Sequence, residues 1–245
     1  MKEKYQEKNL GTPLGYLFSI YAIISVFSYP FILWNFKHLG IAIGLILSAS
    51  AYVLDYLTSN ATEFNMSIMR KNGYDPEKFL KGAILNFYVT FIIDGLIHNH
   101  IFQYAETHFD FKLVINVLVI MGLTEVYFIT VHKLMHRYYP NLHKLHHCCL
   151  RPSYTTNMFF DNLDSFLEAT FPIIIADLFT IFYSKDYFAL IVVYAIISTW
   201  YSMDHDEYLK PPHWYHHKFI NSNYGVYIKG GSFDDKDEIK KAIVR

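Results

Sequence analysis

Charge is what this sequence has least of. Only 18% of its 245 residues are Asp, Glu, Lys or Arg, against about 25% in ordinary soluble domains. The formal sum is −1, so no broad basic field is present to hold nucleic acid. Cysteine is nearly absent as well. The only two, Cys148 and Cys149, are adjacent, which argues against a disulfide framework and fits reduced thiols facing a cytosol. No cleavable signal is evident either, because the apolar run after the charged "MKEKYQEKN" is far longer than a signal core. No low-complexity tract or long linker divides the chain, and residues 1–245 read as a single integral-membrane domain.

What fills the sequence instead is apolar. It is 53% hydrophobic, with 21 Tyr and 21 Phe. A helix crossing a bilayer needs about 20 apolar residues, and the windows near 14–36, 39–57, 82–102 and 111–131 supply them. Two further windows, 166–183 and 186–203, sit at the short end and read either as a tight spanning pair or as a re-entrant hairpin. The expected fold is therefore all-α, a polytopic bundle of four to six membrane helices. Residues 58–81 read as a connecting loop or short amphipathic helix.

If all six windows cross, Lys37, Lys112 and Lys185 fall on one side and the rest of the 21 Lys and Arg on the other. The positive-inside rule then places the N-terminus in the cytosol. An even number of crossings separates residues 132–147 from 205–217, so both emerge on that same cytosolic face, as does the C-terminus.

Those two windows hold nine of the 13 histidines, where random placement would put roughly 1.5. They read "HKLMH" from His132 to His136, "HKLHH" from His143 to His147, "DHDEY" around His205 and "HWYHH" from His213 to His217. On a helix, residues three or four apart share a face, so His132 pairs with His136, and each HxxHH triplet converges. Pro140 separates the first pair from the first triplet, and Pro211 and Pro212 precede the second triplet, where proline suits a helix start.

Neutral imidazole ligates Zn, Cu, Fe and Ni. Nine exceed what one four-coordinate ion takes, which implies two metals. Soluble di-iron bundles rely on Glu and Glu-x-x-His ligands, which this chain lacks in the required number. A histidine-rich dinuclear site at a membrane surface is the reading that remains. Glu125, seven residues before His132, is a candidate to hydrogen-bond a ligand's other ring nitrogen. Asp164 and Asp204 are similar candidates. His98 and His100 belong to the opposite end of a span and read as interfacial polar groups.

The ordered set of boxes resembles the HxxxH, HxxHH and HxxHH boxes of the sterol desaturase / fatty acid hydroxylase superfamily, over roughly His132 to Gly225, with "NYG" similar to the family's continuation. The resemblance implies a membrane-bound, non-haem di-iron oxygenase of the endoplasmic reticulum. It would hold two iron ions on His132, His136, His143, His146, His147, His205, His213, His216 and His217. It further implies a lipid substrate, sterol or fatty acyl, oxidised with dioxygen and electrons from a separate donor such as cytochrome b5 and its reductase. After Gly225 the chain runs "VYIKGGSFDDKDE", where family members often carry Trp-Asp and Gly-Thr elements. A non-catalytic family member, or a histidine-rich metal-binding membrane protein or transporter, is therefore the alternative.

Overall fold

The structure, a computed structural model, describes residues 60–102, 109–206, 209 and 211–228, with scattered positions between Leu17 and Asp55. Among the described residues the chain is helical and forms no strand. The expected spans at 14–36 and 39–57 lie outside the described residues except for those scattered positions.

The loop-or-helix segment at 58–81 contains a helix. Helix α1, Asn60–Lys71, buries Ala61, Met66 and Met69 on one side. Gly73, at φ 82°, then turns the chain, a left-handed conformation that glycine adopts without penalty. Helix α2, Pro76–Phe102, opens on the proline expected at a helix start. It covers residues 82–102 as one unbroken helix, although it is not one of the described helices long and apolar enough to cross a bilayer.

Helix α3, Phe111–Tyr138, is capped by Asp110, whose carboxylate accepts from the backbone N–H of Lys112 at 2.7 Å. It ends where Pro140 would clash with the helix, and the chain makes a single turn, Pro140–His143, followed by a 3-10 turn, His146–Cys148. Helix α4, Asn162–Ser184, begins at its own aspartate cap, Asp161. Two of its turns are π-helical, Phe166–Thr170 and Thr180–Ser184. Lys185, in the left-handed region at φ 54°, reverses the chain. Helix α5, Tyr187–Met203, follows, and helix α6, Pro212–Lys218, closes the described order.

Asp186 sets the level at which α5 starts. Its carboxylate accepts from the N–H of Ala189 at 3.2 Å and from the side-chain amide of Asn116, near the start of α3, at 3.0 Å. Helices α3 and α5 therefore start at one level, and α4 returns between them. That is why the histidines ending α3 and those following α5 meet at one end.

Helix α5 is apolar on all sides, and Ala189, Leu190, Ile191, Val193 and Ala195 are fully buried. Its 17 residues form the centre of the core between α3 and α4, which is where an all-round hydrophobic helix belongs. Helices α3 and α4 are the two described helices long and apolar enough to cross a bilayer. Helix α3 leaves Phe111, Val114, Ile115, Leu118, Leu123 and Val126 uncovered by the described residues. In water each would forgo about 1.5–3 kcal/mol of burial; hydrocarbon removes that cost. The apolar stripe and the two long helices suggest a membrane protein.

Candidate metal centre

The structure brings all nine clustered histidines together as two groups. One holds His132, His136, His143, His147 and His216; the other holds His146, His205, His213 and His217. Within each group the ligating nitrogens lie within 4.8 Å of one another. His132 and His136 stand one turn apart at the end of α3, as their spacing requires.

The triplets behave differently from the expectation that each converges on one face. His143 and His147 go to the five-histidine group and His146 to the four-histidine group; His216 goes to the first, His213 and His217 to the second. The first triplet lies on a single turn and a 3-10 turn rather than on one helix. Sequence neighbours on an α-helix diverge by roughly 100°, and those on a 3-10 turn by about 120°. Each HxxHH motif thus serves two centres, and its adjacent pair forms the partition between them.

Three imidazoles are oriented from outside. Asp164 accepts from Nδ1 of His143 with both oxygens, at 2.9 and 3.0 Å. Nδ1 of His205 faces the carbonyl of Tyr201 at 3.1 Å and the carboxylate of Asp204. Nδ1 of His216 donates to the carbonyl of Ser222 at 2.7 Å. A neutral imidazole whose proton is held on Nδ1 presents the Nε2 lone pair inward. Burial, reinforced by the neighbouring imidazoles, holds His143, His146, His147, His213 and His217 well below the usual histidine range. Burial does the same for His216. They are neutral at physiological pH, the form that ligates. Asp204 is pushed up to about 6 by burial, with His205 pulling it back down.

The spacing of the Nε2 atoms tests whether a metal fits. His136, His147 and His216 form a triangle with sides of 3.0, 3.0 and 3.2 Å. The proton of His216 is committed to Ser222, so only two remain for three contacts, and hydrogen bonding cannot satisfy all of them. A shared cation can. With metal–imidazole bonds of about 2.0–2.1 Å, nitrogens 3.0–3.2 Å apart can share one ion. In the other group, His146 and His205 approach at 3.1 Å. Both ring nitrogens of His213 and of His217 are buried without a hydrogen-bond partner among the described residues, which is a heavy cost unless a ligand takes one of them.

Aromatic rings wall the two groups. Phe160 stacks on His146 at 4.1 Å, Phe128 meets His132 edge-on at 5.2 Å, and Tyr224 lies 4.9 Å from His216.

Glu125 does not do what its position suggests. Its Oε1 accepts from the backbone N–H groups of Tyr227 and Ile228, both at 3.0 Å, instead of reaching an imidazole. A carboxylate held by two amides on a neighbouring segment is a tether. Gly225 makes room for it, since a Cβ there would meet the carbonyl of Ile228 at 2.1 Å and Oε1 of Glu125 at 2.6 Å. Glu168 is the residue the sequence reading passed over. It is 3% exposed, and its oxygens lie 3.7 Å from Nδ1 of His132 and 3.8 Å from Nδ1 of His143. Its position four residues after Asp164, in an apolar run, was the available signal. His143, Asp164 and Glu168 also form a cluster of metal-binding residue types. Because Asp164 takes the Nδ1 side of His143, this cluster reads as the outer support of the first group. His100 is exposed and belongs to neither group.

Residues 117–232 match the family model described as fatty acid hydroxylase. Neither the curated proteins nor the solved structures give a match. That matched stretch, which holds all nine grouped histidines, is similar to the fatty acid hydroxylase family, part of the sterol desaturase/fatty acid hydroxylase superfamily.

Proposed function

We propose that the protein is a membrane-bound non-haem di-iron oxygenase. It hydroxylates or desaturates a lipid, a sterol or a fatty acyl chain, using dioxygen and electrons from a separate donor such as cytochrome b5 and its reductase. In this reading it resides in the endoplasmic reticulum membrane, with the histidine end facing the cytosol. The observation that carries the proposal is the division of nine buried imidazoles into adjoining groups of five and four, with outward hydrogen bonds turning Nε2 of His143, His205 and His216 inward.

The five-histidine group would hold one iron and the four-histidine group the other. Bound there, the iron pair would supply dioxygen reduction and the breaking of an unactivated C–H bond. The chain's own residues do the rest. Asp164, Asp204 and the carbonyls of Tyr201 and Ser222 fix ring orientation and keep the Nε2 lone pairs available. Phe128, Phe160 and Tyr224 keep water from the imidazoles. The exposed apolar stripe of α3 runs from Phe111 toward the histidine-bearing end, a surface along which an acyl chain or sterol can lie with its reacting carbon at the centre.

The test is metal content by mass spectrometry on detergent-purified protein. Two irons per chain in the wild type, one each in His146→Ala and His216→Ala, and none in the double variant are expected. Wild-type protein with fewer than two metals, or variants that retain both, would overturn the dinuclear assignment. Product analysis with sterols and fatty acids then separates the two substrate classes.

A further inference from the structure

We propose that Glu168 is a positioning residue for the five-histidine centre, holding His132 by its outer ring nitrogen. The inference rests on the two-metal reading and adds to it a residue that none of the histidine boxes contains.

Two orphaned atoms face each other. Oε1 of Glu168 and Nδ1 of His132 are both buried without a hydrogen-bond partner among the described residues, and they lie 3.7 Å apart. Closing that gap to an ordinary hydrogen bond takes a shift of under about 1 Å. Nε2 of His132 lies 3.0 Å from Nε2 of His143, whose own proton is directed at Asp164. Where an ion takes the Nε2 lone pairs of both rings, the proton of His132 belongs on Nδ1, the side that Glu168 occupies.

Two other members of the group show what such a contact does. His143 is braced by Asp164 and His216 by the Ser222 carbonyl. Among the described residues His132, fully buried, has no such brace apart from Glu168; rings surround it, with Phe128 at 5.2 Å and Tyr224 at 5.6 Å. The second oxygen of Glu168, 3.8 Å from Nδ1 of His143, lets one carboxylate back two ligands.

Charge points the same way. Neutral imidazoles bring no counter-charge to a divalent ion. Asp164 and Glu168, at 0% and 3% exposure, place two carboxyl groups in one dry location, where ionising both is unfavourable until a cation lies opposite them. The local backbone is also unusual. Glu168 lies in the π-helical turn Phe166–Thr170, a distortion of regular helix geometry that recurs at functional sites.

The test uses the full chain loaded with iron in detergent. The readout is the rate at which each ion passes to a chelator, for wild type, Glu168→Ala and Glu168→Gln, with size-exclusion chromatography confirming that each variant is folded. Glu168→Ala is expected to release the five-histidine ion 10–100-fold faster and to leave the four-histidine phase unchanged. Glu168→Gln retains one oxygen acceptor for His132 and should recover much of the wild-type rate. In a His136→Ala background, which lacks the five-histidine ion, Glu168→Ala should change nothing.

Equal release rates in all three proteins would overturn the proposal, as would acceleration of both phases or an effect that persists in the His136→Ala background. Wild-type protein holding fewer than two ions would instead sink the two-metal reading beneath it, and this inference with it.

Discussion

Both carboxylate oxygens of Asp164 lie within 3.0 Å of Nδ1 of His143, so an acid from α4 decides how an imidazole beyond the end of α3 faces. Asp164 is fully buried, and its removal strips the Nδ1–H of His143 of its acceptor. Asp164→Ala should weaken metal binding at the five-histidine centre 10–100-fold. Asp164→Asn, which keeps one acceptor, should cost less. Metal titration of the two purified variants distinguishes these outcomes from an unchanged affinity, which would mean that ring packing alone orients His143.

The splitting of each HxxHH motif has its own signature. His146 and His147 are neighbours in sequence but belong to different groups. His146→Ala and His147→Ala should each lose one metal, and the adjacent double variant both. His147→Ala combined with His216→Ala, which both strike the five-histidine group, should still retain one metal. If the latter pair lost both ions and the adjacent pair only one, the assignment of the groups would be wrong.

Gly225 has no room for a side chain. A methyl group there would press on the Ile228 carbonyl and on Glu125, backbone on one side and a tethered carboxylate on the other. Overpacking of this kind costs about 1–3 kcal/mol. Gly225→Ala should therefore lower the thermal midpoint in detergent while the metal content is unchanged. A midpoint equal to that of wild type would show that the segment relaxes without cost.

Glu125 should act through stability. Glu125→Leu strips the acceptor from the Tyr227 and Ile228 amides, a loss of about 1–3 kcal/mol. Glu125→Gln keeps an oxygen for both amides and should hold nearly the wild-type midpoint and the full metal complement. Metal loss in Glu125→Gln at an unchanged midpoint would return Glu125 to a role at the imidazoles. Because Glu125 and Gly225 share one contact, the Gly225→Ala and Glu125→Leu effects should not add.

The sequence spoke clearly where chemistry depends on residue type and spacing. Apolar windows 111–131 and 166–183 became the two long apolar helices because hydrophobic length is a local property. The nine histidines could be picked out because imidazoles concentrated at three- and four-residue intervals are rare by chance. Asp164 and Asp204 stood close enough to the boxes to be suspected, and each meets a histidine ring nitrogen.

Tertiary structure decided what depends on chain direction and on contacts between distant segments. Glu125 sits on the correct helix, yet its partner lies 102 residues away at Tyr227, and helical periodicity cannot register a segment that returns from elsewhere. Glu168 is aimed by a π-helical turn that no propensity scale marks. The division of the triplets depends on how the turns Pro140–His143 and His146–Cys148, and helix α6, sit against the end of α3. Which residues could bind a metal was written locally, in donor type and spacing. Which of them share an ion depends on the angles between turns, and packing alone sets those.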